Sequence, residues 1–499
     1  MLDMSMDEDD DSGSTDIQVV FEKKSAPSKS QPFHRTYPNK KAFTSHPSAS
    51  GLVMASSHYE SQTPTTSVVE DVLYVSPPQQ RKPPNFRSFE DARPPNLPKI
   101  GENAVRFSVC SYNVLCQTTI GETMYLYNHC HNARQVLDWG HRWPLLQEEF
   151  KYLNADVFSL QEVEQAHFLQ CFRPFFESLG YDAYYTARNG VKHDGCAIFY
   201  RKSKFDVVDR RCVDFNLKPS YVDRDNVGQI LKLRPKGSSD DKDCVVVANT
   251  HLLFNQKRGD IKLVQLAMLL AHVEQVAKCS PSGYLPLIFC GDYNMEPLSP
   301  LYKLVVTGRL DYGSLTKEEV SGQFKGRPPG YGGYPMSRER FLIPPNAGVT
   351  NDCRLGVQGP ARPFGGIPRY FNMGGPRAPL PPAEEGVVPP PHLLSHPFSL
   401  MSVYRHRTSD NRDWEVSTNH SRESANVDYL FYSVKEGSAK EQDERGFLHF
   451  RNVREGRLKC LQRYRLMGQG ETNAILGKMP NRFCGSDHVP LMARFALDK

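Results

Sequence analysis

Apolar residues in this chain run in short, nearly unbroken blocks that end on Asn, Glu, His or Asp. VRFSVCSYN closes on Asn113, DVFSLQE on Glu162, VVVANTH on His251 and LIFCGDYN on Asp292 and Asn294. Asp428 opens DYLFYS, and Asp487 and His488 stand in GSDHVPL ahead of the last apolar block. Blocks of this kind, bounded by turn residues, read as strands buried on both faces. Strands that deliver polar side chains to one rim are how a rigid scaffold builds an active site.

Other stretches have helical spacing. In WPLLQEEFKYL (143–153) Leu146, Phe150 and Leu153 share a face, which predicts a helix feeding the strand DVFSL. Residues 260–277 predict the clearest helix. There Ile261, Val264, Leu266, Leu269, Leu270, Val273 and Ala277 fill a core-facing stripe, and Asp260 suits the first turn. Asp194–Tyr200, Cys244–Ala248 and Leu285–Cys290 read as further strands, so strand and helix alternate.

The patterning fails in two places. Residues 1–99 are rich in Ser, Pro, Thr, Gln and Asp without periodicity and read as a disordered N-terminal arm. Across 321–395 Pro and Gly recur every few residues, which excludes regular helix or sheet. Apolar patterning resumes near Phe398 and continues to Phe495. The Pro/Gly-rich stretch is therefore expected to interrupt a single domain at 100–499, since the penalty for closing a long loop grows only logarithmically. The low hydrophobic share, 39%, fits a chain that is only partly packed.

Lys and Arg exceed Asp and Glu by 61 to 56, a net charge of +5. That balance accommodates a polyanionic partner without requiring one. No apolar run is long enough to span a membrane. The acidic opening MLDMSMDEDDDSGS lacks the apolar region of a secretory signal. A cytoplasmic or nuclear location is expected. The 12 cysteines are scattered and form no CxxC pair, which suits thiols packed as small hydrophobes in a reducing compartment.

The residues gathered at the strand ends are hard oxygen donors and imidazoles, a set suited to Mg²⁺ and phosphate rather than zinc. Glu162 beside Asn113 is a sparse metal shell of carboxylate and amide. Asp292 ends a very apolar strand, where a carboxylate is costly unless paired or in use. Its natural task is to orient or deprotonate water, with Asn294 donating to a phosphate oxygen and Gly291 letting backbone and substrate approach. His251 alone reads first as a satisfied core histidine. His488 is the better candidate for stabilising or protonating at phosphorus, with Asp428 as its orienter. Asp487 and His488, as strand neighbours, should point to opposite faces. Asn226 in DRDNVG is read as a turn residue or as one lining the cleft. Lys257 and Arg258 are read as phosphate contacts or as solvated loop charge.

At these residues the chain resembles the endonuclease/exonuclease/phosphatase superfamily, which shares a two-sheet α/β sandwich of the DNase I-like type. Within it, NTHLLFNQKRGDIKLVQLAMLL, GDYNMEPLSPLY, VDYLFYS and SDHVPLMARF are similar to the carbon catabolite repressor 4 and nocturnin-like branch, and most of all to its Angel group. The resemblance covers about residues 100–320 and 396–499. It implies metal ligation at Glu162 and Asn113, and an active-site histidine at His251. It further implies water activation at Asp292, phosphate contact at Asn294, histidine orientation at Asp428 and a closing Asp–His pair at Asp487 and His488. It also implies Mg²⁺, or Mn²⁺ in its place, and RNA 3′ ends of messenger or transfer RNA as substrate. Two activities follow from it: removal of 2′,3′-cyclic phosphates, the first expectation, and 3′-exonucleolytic removal of poly(A). An RNA-bound adaptor recruiting protein partners through the arm or insertion, and a small-molecule phosphatase, are the readings from other classes.

Overall fold

Continuous apolar blocks become interior strands here because each is covered on both sides. The structure, a computed structural model, describes residues 86–498 apart from 94–96, 282, 325–342, 357–391, 436–439, 443–447 and 451–452. Most of the expected disordered arm and the centre of the Pro/Gly insertion lie outside the described residues.

The two main sheets contain thirteen strands. In chain order they begin with β1 (Phe89–Asp91), β2 (Val105–Asn113), β3 (Val157–Glu164), β4 (Tyr181–Ala187) and β5 (Asp194–Arg201). Next come β6 (Phe205–Asp214), β7 (Val227–Pro235), β8 (Val245–His251) and β9 (Leu287–Asp292). The last four are β10 (Leu400–Ser402), β11 (Asp428–Ser433), β12 (Leu458–Tyr464) and β13 (Leu491–Leu497). The seven-stranded sheet runs β1-β12-β13-β2-β3-β5-β4 and the six-stranded sheet β10-β11-β9-β8-β7-β6. They face each other through Val109, Val157, Ile198, Leu231, Val247, Ile288 and Leu430. Helix α1 (Trp139–Leu153) covers the outer face of the first sheet, and α2 (Gly259–Ala277) with α3 (Pro300–Thr307) that of the second. The result is the α/β sandwich of the DNase I-like type. On β8, Val245 and Val247 face the sheet interface while Val246 and Ala248 face α2. Burying such side chains is worth about 2 kcal/mol each, so neither face tolerates a polar alternation. Among the described residues no helix is long and apolar enough to cross a membrane.

Four sequence expectations need correction. Phe89–Asp91 pairs with Tyr464–Gln462, and Arg87 is buried with its guanidinium on the Arg465, Tyr464 and Pro490 carbonyls. Packed residues are therefore present ahead of 100, among them Phe89 and Arg87. Pieces of the expected 321–395 insertion also pack. Gln323, Ala347 and Cys353 are buried, and Leu393–Ser395 pairs with Arg309–Asp311. Helix α2 is buried on nearly every side, with His272 and Gln275 reaching solvent, instead of along one stripe, because Ala347, Cys353 and Val320 join the cluster that covers it. Asp487 and His488 precede β13 in a loop, where His488 bridges to Thr418. The strand argument for opposite faces does not apply to them.

Candidate active site

Strand register gathers the site. Asp292 at the end of β9 is paired with His251 on parallel β8 and with Asp428 on antiparallel β11. The three residues form one row across adjacent strands. Successive side chains alternate faces. The row therefore continues the faces of Val247, Cys290 and Leu430, and its side chains turn toward the other sheet. From that sheet Asn113 ends β2 opposite Gln161 of β3. Glu162 follows in an irregularity between Leu160 and Val163, with φ of 57°. A left-handed non-glycine residue in a bulge is a strained device for re-aiming a side chain, and Asn294, at φ 46°, is a second.

The Asn113 amide donates to Glu162 Oε1 at 2.9 Å and to Asp292 Oδ2 at 3.1 Å, while its oxygen accepts from the Leu115 N–H. It thus brackets two carboxylates and spends one of its oxygen's two lone pairs on the loop backbone. Glu162 Oε2 also accepts from the Cys116 N–H at 3.0 Å. Asp292 Oδ1 accepts from the Asn294 N–H. His251 Nε2 lies 3.6 Å and His488 Nε2 3.9 Å from Asp292 Oδ2. His488 Nδ1 is 2.7 Å from Asp428 Oδ2, an oxygen that also accepts from Ser417 Oγ at 2.6 Å.

These distances set the charges. Burial, reinforced by the Asp428 carboxylate, pushes the Asp292 pKa up to about 7. Burial opposes the charging of His488, but Asp428, Asp487 and Asp292 outweigh it and raise its pKa well above the ordinary value. Burial and then the Arg188 guanidinium take His251 down to about 3, against the pull of Asp194. His251 and Asp292 are close enough for an ion pair, yet a histidine with that pKa is neutral at physiological pH. We therefore read the contact as polar rather than ionic.

The remaining predicted residues have defined positions. Asn294 gives an amide hydrogen to the Leu252 carbonyl at 3.1 Å. Asn226, expected as a turn residue or in the cleft, is buried. It donates to the His251 carbonyl and accepts from Gln265, so it braces His251 instead of facing substrate. A Cβ on Gly291 would sit 2.1 Å from the Thr250 carbonyl oxygen. Strand contact, and not substrate approach, requires that glycine. Arg258 is paired with Asp260, whereas Lys257 is exposed.

Asp487 Oδ2 accepts from the Tyr127 hydroxyl at 3.1 Å, while its Oδ1 is buried without a hydrogen-bond partner. A buried carboxylate oxygen without a hydrogen bond, 3.9 Å from His488 Nε2, suits a hard cation that keeps several waters. Asp292, Asp428 and His488 also lie close enough together to suggest a metal site. That trio is already knit by the 2.7 Å His488–Asp428 contact, and the histidine holds its proton; Glu162 and Asp487, which both act on Tyr127 and Arg142, are the other carboxylates that could hold an ion.

Sequence reasoning missed several supports. Buried Arg142 donates to the Val114, Leu115 and Gly485 carbonyls, tying the exit of β2 to the Asp487 loop. Ser486 Oγ bonds the Asn113 carbonyl at 2.7 Å. Buried Lys262 donates to the Asn294 carbonyl at 2.7 Å and to Gln323 Oε1 at 2.6 Å. Arg142 and Lys262, charges among helical apolar residues, were the available signals. Ser417 gave none, since it stands outside any periodic segment.

Residues 110–488 match the family described as Endonuclease/Exonuclease/phosphatase family. The chain belongs to that family. It is 40% identical over 408 residues to protein angel homolog 2 of Bos taurus and 39% identical over 408 residues to that of Homo sapiens. Each alignment spans 80% of this chain and 70% of the relative. A crystal structure of ANGEL2, a 2′,3′-cyclic phosphatase, in complex with adenosine-2′,3′-vanadate aligns with a TM-score of 0.65 at 37% identity. It covers 83% of this chain and 99% of its own. The family assignment and the acid–histidine site together make the chain a phosphoester hydrolase, of a family that works with divalent metal.

Proposed function

We propose that this chain hydrolyses 2′,3′-cyclic phosphates at RNA 3′ ends with Mg²⁺. The observation that carries the reading is Asp292, a buried carboxylate with pKa about 7, set between neutral His251 and the braced His488. A base with its pKa near working pH is matched to removing a proton from water. The cyclic substrate is supported by the likeness to ANGEL2.

In this scheme Asp292 takes the proton as the water oxygen bonds to phosphorus, one ring P–O bond breaks, and the departing ribose oxygen takes up a proton from solvent to become a hydroxyl. Opening the ring gives a phosphomonoester, and a second hydrolysis at the same phosphorus releases inorganic phosphate and leaves the diol. Protonated His488 faces the charge growing on the phosphoryl oxygens, and Asp428 fixes its ring through Nδ1. Neutral His251 offers an N–H, and Asn294 the amide hydrogen not spent on Leu252. Asn113 keeps Glu162 and Asp292 apart and aligned. Glu162 and Asp487 would hold Mg²⁺, which when bound supplies Lewis-acid neutralisation of phosphoryl charge.

The test is incubation of the protein with RNA bearing a 2′,3′-cyclic phosphate and with 3′-hydroxyl poly(A), each with Mg²⁺ and with chelator. The expected result is metal-dependent loss of the cyclic end with poly(A) intact. Shortening of poly(A) with the cyclic end untouched would replace this reading by that of a 3′-exonuclease.

A further inference from the structure

A band of exposed rings and cations borders the site, and none of it is used in the chemistry above. On one flank Tyr125 is 47% exposed, with the Arg422 guanidinium 5.9 Å from its ring centroid. Both segments are tied to the site. The Tyr127 hydroxyl donates to Asp487, and the Asn419 N–H donates to the Asp487 carbonyl at 3.0 Å. On the other flank the loop leaving His251 presents Phe254, 45% exposed, and then Lys257, whose ammonium lies 5.4 Å over the Phe324 ring. The flanks meet where Gln256 Nε2 donates to Glu423 Oε2 at 3.2 Å. Lys257 and Arg422 are exposed, and neither is in an ion pair among the described residues.

Exposed rings interleaved with cations that are in no ion pair are the chemistry of single-stranded nucleic acid. Bases stack on the rings whatever their sequence, and the cations follow the phosphates. An acidic peptide would use the cations but leave the rings without a purpose. We propose that this band holds the RNA strand immediately upstream of the reacting end, so that the preferred substrate is an RNA chain rather than a free cyclic nucleotide. The proposal rests on the reading of the preceding section. It also explains how a chain with a net charge of only +5 recruits a polyanion, by local rather than global charge.

The experiment compares adenosine 2′,3′-cyclic phosphate with an oligoribonucleotide carrying the same terminus. The proteins are the full chain and its Tyr125→Ala, Arg422→Gln and Lys257→Gln variants. On the oligomer each variant should raise KM about tenfold, the effect of losing one stacking or phosphate contact, and each lost cation should lower the salt slope by about 1. On the mononucleotide all variants should match the parent, which also shows that they fold. Parent and variants acting equally on the oligomer would overturn the band. Equal losses on both substrates would overturn it too, by showing a structural effect. Failure of the parent on both substrates would instead remove the cyclic-phosphatase reading.

Discussion

Replacing Asp292 with Asn should cripple turnover and yet stabilise the protein, and the gain should depend on pH. The Asp292 carboxyl is fully buried, with its pKa raised from 3.8 to about 7 by burial and by Asp428. Between those values the folded protein keeps a proton that the unfolded chain releases. Ionising this group inside the fold therefore costs stability progressively from pH 4 to pH 7 and fully above that. Three pKa units correspond to about 4 kcal/mol. Asn cannot ionise, but its NH₂ would face the Asn113 NH₂ where a carboxylate oxygen now accepts, which costs about 1 kcal/mol. The net gain at pH 8 is about 3 kcal/mol, or a rise in Tm of about 4 °C for roughly 350 described residues. At pH 4 the gain should vanish and the variant should be slightly the less stable. Thermal unfolding of both proteins in chelator across this range is the assay. A Tm difference that does not change with pH would refute the argument. Loss of the base should lower kcat about a thousandfold over the same preparation.

Other outcomes follow from the same contacts. Activity should rise through about pH 7 as Asp292 loses its proton and fall at alkaline pH as His488 loses its own, giving a bell-shaped kcat profile. Asp428→Asn removes the carboxylate that most raises the His488 pKa, so the alkaline limb should move to lower pH, read from the same profile. Lys262→Met leaves the Asn294 carbonyl and Gln323 oxygen without their donor at about 1–3 kcal/mol each, and should lower both Tm and kcat/KM; an unchanged Tm would contradict it. Glu162→Gln should raise the Mg²⁺ concentration needed for half-maximal rate at least tenfold, measured by metal titration.

Much of this was legible in the chain because strands covered on both faces must be apolar throughout, so a polar residue at the end of LIFCGD or VVVANTH stands out. The layers and the row of His251, Asp292 and Asp428 follow from that. What stayed hidden depends on direction rather than composition. Asn113 and Asn226 each carry both a donor and an acceptor, and only geometry shows that one brackets carboxylates and the other holds a carbonyl. The turn of Glu162 into the site needs a bulge that no periodicity announces. Within the Pro/Gly-rich stretch, isolated anchors such as Gln323, Ala347 and Cys353 are too sparse to make a pattern, so their packing escaped the reading.

The single row shared by three strands has a consequence for errors. A slip of β9 by one residue would turn Asp292 from the space between the sheets toward the helices and carry Cys290 and Ile288 with it. There is no half-aligned arrangement in which base and histidine still meet. A misassembled molecule is therefore inert toward phosphoesters instead of being loosely specific, and catalysis itself certifies that strands 136 positions apart in sequence have found the correct partners.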